Sequence, residues 1–415
     1  MRGAVLLALL LLLAPLGAGA YDVRYEVGIL PDRGTARLSV RIVQSGGVVR
    51  SISFPIEPLR FFDETADGEL TRVEEEGEPP RLVWRPPRDG GVLRYSLRVD
   101  RVREGAEYDA RCASSWMVAR AEDLFPPATT RFKAGSDMEA NARLRFKLPP
   151  RWQVAHPYAI EDGLAVIEQE HRRLDQPKGW IVAGRLDRVR AEIEGSRISL
   201  AAPEGHGARI YDLLAFLRWT LPVLRGALGS LPERILIVSA GNPMWRGGLS
   251  APGSVFVHAD RPLIDSDASS PLLHELVHTI TRARSAPGED WIVEGLAEHY
   301  SRETLLRSGA ISQKLFDDTL QALRRRGERV RRLEGEATGA ETALAVAFFY
   351  DLQQQIRAAT DSDAGLDPVA VTLVGEIEAI DRFELAERVL QQTGFDATRL
   401  IRQRIPALPD RFGAN

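Results

Sequence analysis

A single cysteine, Cys112, occurs in the 415 residues, so no intramolecular disulfide is possible and stability must come from core burial. After residue 20 no apolar stretch approaches the length that crosses a bilayer as a helix. Neither sign of charge dominates. Against 54 basic residues stand 58 acidic ones, a net −4 with both signs interspersed, which gives no basic field of the kind that nucleic acid or anionic lipid selects. Internal repeats and low-complexity tracts are also missing.

What is present begins with MRGAVLLALLLLLAPLGAGA, one Arg, an apolar run and small residues, which is the layout of a cleaved secretory signal over residues 1–20. Tyr21 is then the first residue of an exported chain, periplasmic or extracellular. An uncleaved anchor that recruits Ala14 to Ala20 is the alternative, and no cysteine follows closely enough to carry a lipid. Nearly four hundred mature residues suit two or three domains.

From Tyr21 to about residue 200 short alternating runs recur between Gly, Pro and Asp: RYEVGIL, ARLSVRIV, SISFPI, RLVW, VLRYSLRV, ARLRFKLP, GWIVAGRL and RISLAAP. Such spacing predicts an antiparallel, sandwich-like β domain over 21–205. From Ala208 the apolar period becomes helical, and IYDLLAFLRWTLPVLRGALGSL predicts a helix. Two strands follow, RILIVSA and SVFVHA, joined by the loop GNPMWRGGLSAPG. Beyond Ser269 helices are expected near 270–283, 290–308, 312–328, 341–358, 368–379 and 382–393. The joint falls at 200–208, around PEGHG, dividing the β domain from a core at 206–310 and a helical part at 311–415.

The chemistry concentrates in LLHELVHTITRARSAPGEDWIVEGLAEHYS, residues 272–301. On a helix, positions i and i+4 share a face about 6 Å apart, so His274 and His278 can turn ring nitrogens to one ion. Glu275 sits beside them without reaching that ion, where a general base for the attacking water is wanted. A tetrahedral catalytic zinc needs a third protein ligand and an open position. The segment EDWIVEGLAEHYS supplies a second helix with Asp290 as its N-cap, Glu294 in the first turn and Glu298 on the same face. Glu294 is the candidate ligand, with Asp290 as an alternative carboxylate. Glu298 either orients a ligand histidine through its free N–H or lies on a solvated helix face. Thr281 and Arg284 stand where HExxHxxGxxH would need Gly and His, which excludes that class.

HELVH followed by WIVEGLAEHYS resembles the gluzincin metallopeptidases of the aminopeptidase N and glycyl aminopeptidase types. That resemblance implies one zinc ion on His274, His278 and Glu294, with Glu275 as base. It also implies a β-sandwich-like domain followed by a thermolysin-like zincin catalytic domain with C-terminal helices, acting on a peptide or protein substrate. LFPPATTRFKAGSDMEANARLRFKLPPRWQV and FELAERVLQQTGFDATRL are similar to the family's β-domain core and terminal helices.

The chain departs from the family in three places. Fifteen residues separate His278 from Glu294, a shorter interval than usual, which a loop tolerates. Where aminopeptidases carry a glutamate that holds the substrate's amine, this chain reads Gly247-Gly248-Leu249-Ser250-Ala251. The expected tyrosine donor falls near Thr342, while Tyr350 sits in an apolar helix as a core residue, with Tyr300 and His258 as other donors. The missing amine anchor favours endopeptidase action, and the same departures suit an inactive peptidase-like binding or scaffold protein. Gly247-Gly248 leads into an apolar strand or forms a tight turn. Trp116, Trp219, Trp245 and Trp291 read as core or interface. RRRGERVRR reads as a solvated helix face, and His156, His171 and His206 as structural or surface residues. Neither a nucleic-acid partner nor stable membrane insertion after signal cleavage is expected, and oligomeric state is not legible.

Overall fold

Strands of alternating apolar and polar residues build the N-terminal part of the computed structural model, which describes residues 20–134, 139–168, 174, 176–330, 337–360, 363–376 and 378–405. Residues 1–19, where the signal segment is expected, and His171, Arg331 and Arg332 lie outside the described residues. A seven-stranded sheet consists of β1 (Ala20–Leu30), β2 (Thr35–Val43), β3 (Phe61–Ala66), β4 (Gly90–Arg98), β5 (Glu139–Lys147), β6 (Ala159–Glu161) and β7 (Leu164–Ile167), in the order β6-β7-β5-β1-β2-β4-β3. Its inward residues, among them Tyr21, Val23, Tyr25, Leu38, Val40, Leu93 and Tyr95, share one core with Ile52, Phe54, Leu82 and Trp84 of a four-stranded sheet. Period-two alternation gives each strand one buried face and one wet face.

Trp116–Arg120 and Trp180–Gly184, neighbours in a further five-stranded sheet, read as continuous apolar runs because both of their faces are covered. Met117, Ala119, Ile181 and Ala183 face the sandwich core. Trp116, Val118, Trp180 and Val182 face the next sheet, against Ala201, Leu236, Val238 and Phe256. That sheet holds β8 (Leu186–Ile193), β9 (Ser196–Pro203), β10 (Arg234–Ala240), β11 (Gly248–Ala251) and β12 (Ser254–His258), ordered β8-β9-β10-β12-β11. The expected joint at 200–208 is therefore placed too late. β8 pairs with β9, and β9 runs parallel to β10, so 186–203 belong to the second sheet. A half-buried hairpin alternates in the same way whichever sheet it joins, so the pattern could not assign it. The loop between β10 and β12 carries an edge strand of its own, β11, antiparallel to β12.

Helices cover this sheet: α1 (Ile210–Leu228), α2 (Pro271–Thr281), α3 (Trp291–Arg307), α4 (Gln313–Gly327), α5 (Ala340–Thr360), α6 (Asp367–Val371), α7 (Arg382–Thr393) and α8 (Thr398–Arg404). The helix expected at 368–379 stops at Val371. Turns follow, Gly375 takes φ 78°, and its N–H bonds the carbonyl of Thr281, which anchors this stretch to the end of α2. Trp219 is not a core residue: it is 50% exposed on α1 and donates its indole N–H to the carbonyl of Ser308. Among the described residues no helix is long and apolar enough to cross a membrane.

Candidate metal centre

α2 starts sharply. Ser270 caps it by accepting the N–H of Leu273, and Pro271 takes the first turn, where a missing N–H costs nothing. Leu272, Leu273, Leu276, Val277 and Ile280 form its buried stripe. Helical geometry then turns His274, Glu275 and His278 away from that core. At its other end Arg282 closes the helix in the left-handed region, φ 54°.

α3 crosses beside it. The hydroxyl of Ser301 both accepts from the N–H of Ser270 and donates to its carbonyl, 3.2 Å each, clasping the start of α2 to the middle of α3. The opposite side of α3 presses on α5. A Cβ at Gly295 would lie 2.5 Å from Cβ of Ala345 and about 3.0 Å from the ring of Phe349, so the glycine after Glu294 sets how closely the two helices approach. Asp290 does not cap α3 with its side chain. Its carboxylate accepts instead from Ser285 and from the N–H of Ala337, tying two loops together, and it takes no part in the cluster below.

The two helices bring three donors to one point. Nε2 of His274 and Nε2 of His278 are 3.1 Å apart, and each stands 3.3 Å from an oxygen of Glu294. A tetrahedral ion with bonds of about 2.0–2.1 Å holds its donors about 3.3–3.4 Å apart, so this triangle matches zinc-sized coordination. Among the described residues no other trio of His, Cys, Asp or Glu is so gathered. The side chains of His274, His278 and Glu294 remain 18%, 16% and 29% exposed, enough for water and a substrate to reach the fourth position.

Behind the donors runs a chain of support. Nδ1 of His274 lies 3.2 Å from Glu298, whose other oxygen accepts from Arg302 at 2.7 Å, and Arg302 in turn grips the carbonyl of Asp267. Glu298 therefore faces His274 and not solvent. Burial disfavours charge on His274, yet hydrogen bonds to Glu294 and Glu298 and the charges of Glu298 and Glu275 push its pKa up to about 10. Burial would likewise raise Glu294, but its hydrogen bonds to both imidazoles hold it well below the usual carboxylate range. Glu298 is also lowered, against its burial, by His274 and Arg302. The carboxylates around His274 thus favour positive charge at this point.

Glu275 lies against the sheet edge: a Cβ on Gly248 would fall 2.9 Å from its Cγ. Only a glycine lets β11 approach so closely. Ser250 is on that edge strand, which carries no acidic residue. The proposed tyrosine donors are turned elsewhere. Tyr300 is buried and gives its hydroxyl to Asp367, while Tyr350 packs on Phe316 with Arg324 over its ring. Thr342 donates to the carbonyl of Ala337. His258 accepts the N–H of Asp260 and lines a small cavity that contains none of the three donors. His156 stacks between Phe146 and Tyr158, and His206 stands edge-on to Trp116. Sequence reasoning missed Arg302, although its i+4 spacing from Glu298 is a readable pairing signal, and it missed the close approaches of Gly248 and Gly295.

No protein-family model matches the sequence, and neither does any curated protein. Solved structures do match. An aminopeptidase N family protein from Idiomarina loihiensis superimposes with a TM-score of 0.69 at 14% identity, over 92% of this chain and 76% of that one. An M1 zinc metallopeptidase mutant from Deinococcus radiodurans, bound to a Tyr-Ser-Ala substrate, gives 0.57 at 16% identity, over 94% and 95%. Yeast LTA4 hydrolase in complex with bestatin gives 0.56 at 12% identity, over 94% and 68%. The chain thus has the multidomain fold of the M1 metallopeptidases, with a β-rich N-terminal domain and a helical C-terminal region.

Proposed function

We propose that the chain is an exported zinc-dependent peptidase whose ion is held by His274, His278 and Glu294. The observation that carries this reading is the triangle of donor atoms, 3.1 to 3.3 Å on each side. Bound zinc would supply Lewis-acid chemistry, making water acidic and polarising a carbonyl. Glu275 takes the proton of the attacking water and passes it to the leaving nitrogen, the work of a general base that becomes a general acid. Glu298, steadied by Arg302, fixes which nitrogen of His274 carries the proton and leaves Nε2 free to bind. β11, a sheet edge alongside Glu275, receives an extended substrate backbone as an added strand. With Ser250 in place of an acid, nothing on that strand holds a free amine, so internal bonds or chains with blocked ends are the expected substrates.

The test combines zinc analysis of purified wild type and His278→Ala with a proteome-derived peptide library digested by wild type and Glu275→Gln. Zinc in the wild type and not in His278→Ala, with cleavage slowed about 10²–10⁴-fold by Glu275→Gln, is the expected result. Identical product profiles from wild type and Glu275→Gln would favour the inactive, peptidase-like binding protein.

A further inference from the structure

The net charge of the whole chain conceals how the charges are arranged. In β1, β2, β4 and β5 cations outnumber acids among the residues that alternate with the core, and the strand register sets them side by side. Arg143, Arg24 and Arg41 occupy one row across three adjacent strands. The next row holds Arg145, Glu26, Ser39 and Arg94, and the one after it Lys147, Gly28, Arg37 and Ser96. Arg98 extends the face at the end of β4, opposite Thr35. Of these cations all but the half-buried Arg143 are exposed.

Among the described residues the acids on or beside this face are Asp22, Glu26, Asp32, Asp63, Glu161 and, by register at the start of β5, Glu139. Three of them are paired: Glu26 with Lys147 at 2.6 Å, Glu161 with Arg143 at 3.2 Å and Asp22 with Arg24 at 3.9 Å. Arg37, Arg41, Arg94, Arg98 and Arg145 have no carboxylate partner among the described residues. Neighbouring strands are about 4.8 Å apart, inside a Debye length, so these charges act as one field. Below the arginine row a trough of about 810 Å³ crosses the sheet from Thr65 to Lys147, lined by the cations Arg33, Arg37, Arg94 and Lys147 and by the acids Glu26, Asp32 and Asp63.

We propose that this face is a docking surface for an acidic segment of a polypeptide, outside the metal centre. Three observations favour that occupant. The cations already partnered on the face are partnered by carboxylates, the acceptors that guanidinium forks match. Side chains on one side of an extended polypeptide recur about 6.6–6.8 Å apart, the same interval as the cations Arg143, Arg145 and Lys147 along β5. Among the described residues β1, β2, β4 and β5 expose no large aromatic and neighbouring β3 exposes Phe62, which leaves bases little on which to stack, and a trough suits a chain better than a flat bilayer. The proposal does not rest on the peptidase reading.

The experiment measures fluorescence anisotropy of a labelled peptide alternating Glu and Ser, against one alternating Gln and Ser, on the full mature chain. The acidic peptide alone should bind, more weakly as salt rises. The combined variant Arg24→Ser, Arg41→Ser, Arg145→Ser should lose about tenfold in affinity, since exposed pairs are weak singly and add together. The matching Arg→Lys variant should keep most of it, and Glu275→Gln should bind as wild type does, which separates docking from catalysis. Acidic-peptide binding that is absent, insensitive to salt or unchanged in the Ser variant would overturn the proposal. So would binding of dextran sulfate, duplex DNA or phosphatidylglycerol vesicles through these arginines when the peptide does not bind, because the face would then serve another class of partner. If zinc or cleavage is missing but the acidic peptide binds, the peptidase reading fails and the docking surface stands.

Discussion

Gly295→Ala puts opposing effects in direct competition. On an ordinary helix the change gains about 0.8–1 kcal/mol of propensity. Here the new methyl would stand 2.5 Å from Cβ of Ala345 and about 3.0 Å from the Phe349 ring, where carbon contacts prefer about 3.5–4.0 Å. Both neighbours are buried in the same core and belong to α5, so α3 and α5 must part by about 1 Å. Overpacking of this kind costs about 1–3 kcal/mol, which offsets the propensity gain and leaves a net loss of up to about 2 kcal/mol. The adjacent Glu294 moves with the backbone. Donor positions in a metal site tolerate errors of only about 0.2 Å, so zinc affinity should fall by at least about tenfold. Urea unfolding measures the first effect and competition with a chromogenic chelator the second. A Gly295→Ala chain as stable as wild type, with unchanged zinc affinity, would refute the claim that this glycine positions the third donor.

Glu298→Gln should weaken zinc about 10–100-fold while leaving the fold intact, as measured by the same chelator competition. Glu275→Gln should keep its zinc and lower the rate of peptide cleavage about 10²–10⁴-fold. Gly248→Ala should also lower the rate, by displacing Glu275, without loss of zinc. His156 gives a pH effect that is independent of the metal. Burial, then Arg188 and Arg190, lower its pKa to about 4 from 6.5. A depressed folded value means its stabilisation is complete above about pH 6.5 and is lost as pH falls toward 4. Thermal melts of His156→Phe should therefore fall less steeply with acid than those of wild type.

The strands of the first half were legible because alternation is a direct consequence of one wet and one buried face. The convergence of α2 and α3 was legible because HELVH and WIVEGLAEH place their polar residues at i, i+4 intervals. Partnership between elements was not legible. β8 and β9 alternate like sandwich strands, and only pairing with β10 reveals their sheet. The helix expected at 368–379 had a plausible apolar pattern, yet tertiary contact with Thr281 and the left-handed Gly375 ended it early. Asp290 offered a capping side chain that the loop at Ala337 recruits instead. The roles of Gly248 and Gly295 are distances to neighbours remote in sequence, which no local pattern encodes. The cationic face was written in the sequence as Arg37-x-Ser39-x-Arg41 and Arg143-x-Arg145-x-Lys147, but it emerges only when the strands are set in register.

X-ray absorption at the zinc edge, on wild type and on Glu294→Ala, decides whether the three donors hold one ion. Wild type should contain one zinc per chain, with two imidazole nitrogens and a carboxylate oxygen at about 2.0–2.2 Å, and Glu294→Ala should lose that oxygen or the ion itself. A wild-type chain that binds no zinc, or a zinc shell unchanged when Glu294 is removed, would contradict that coordination.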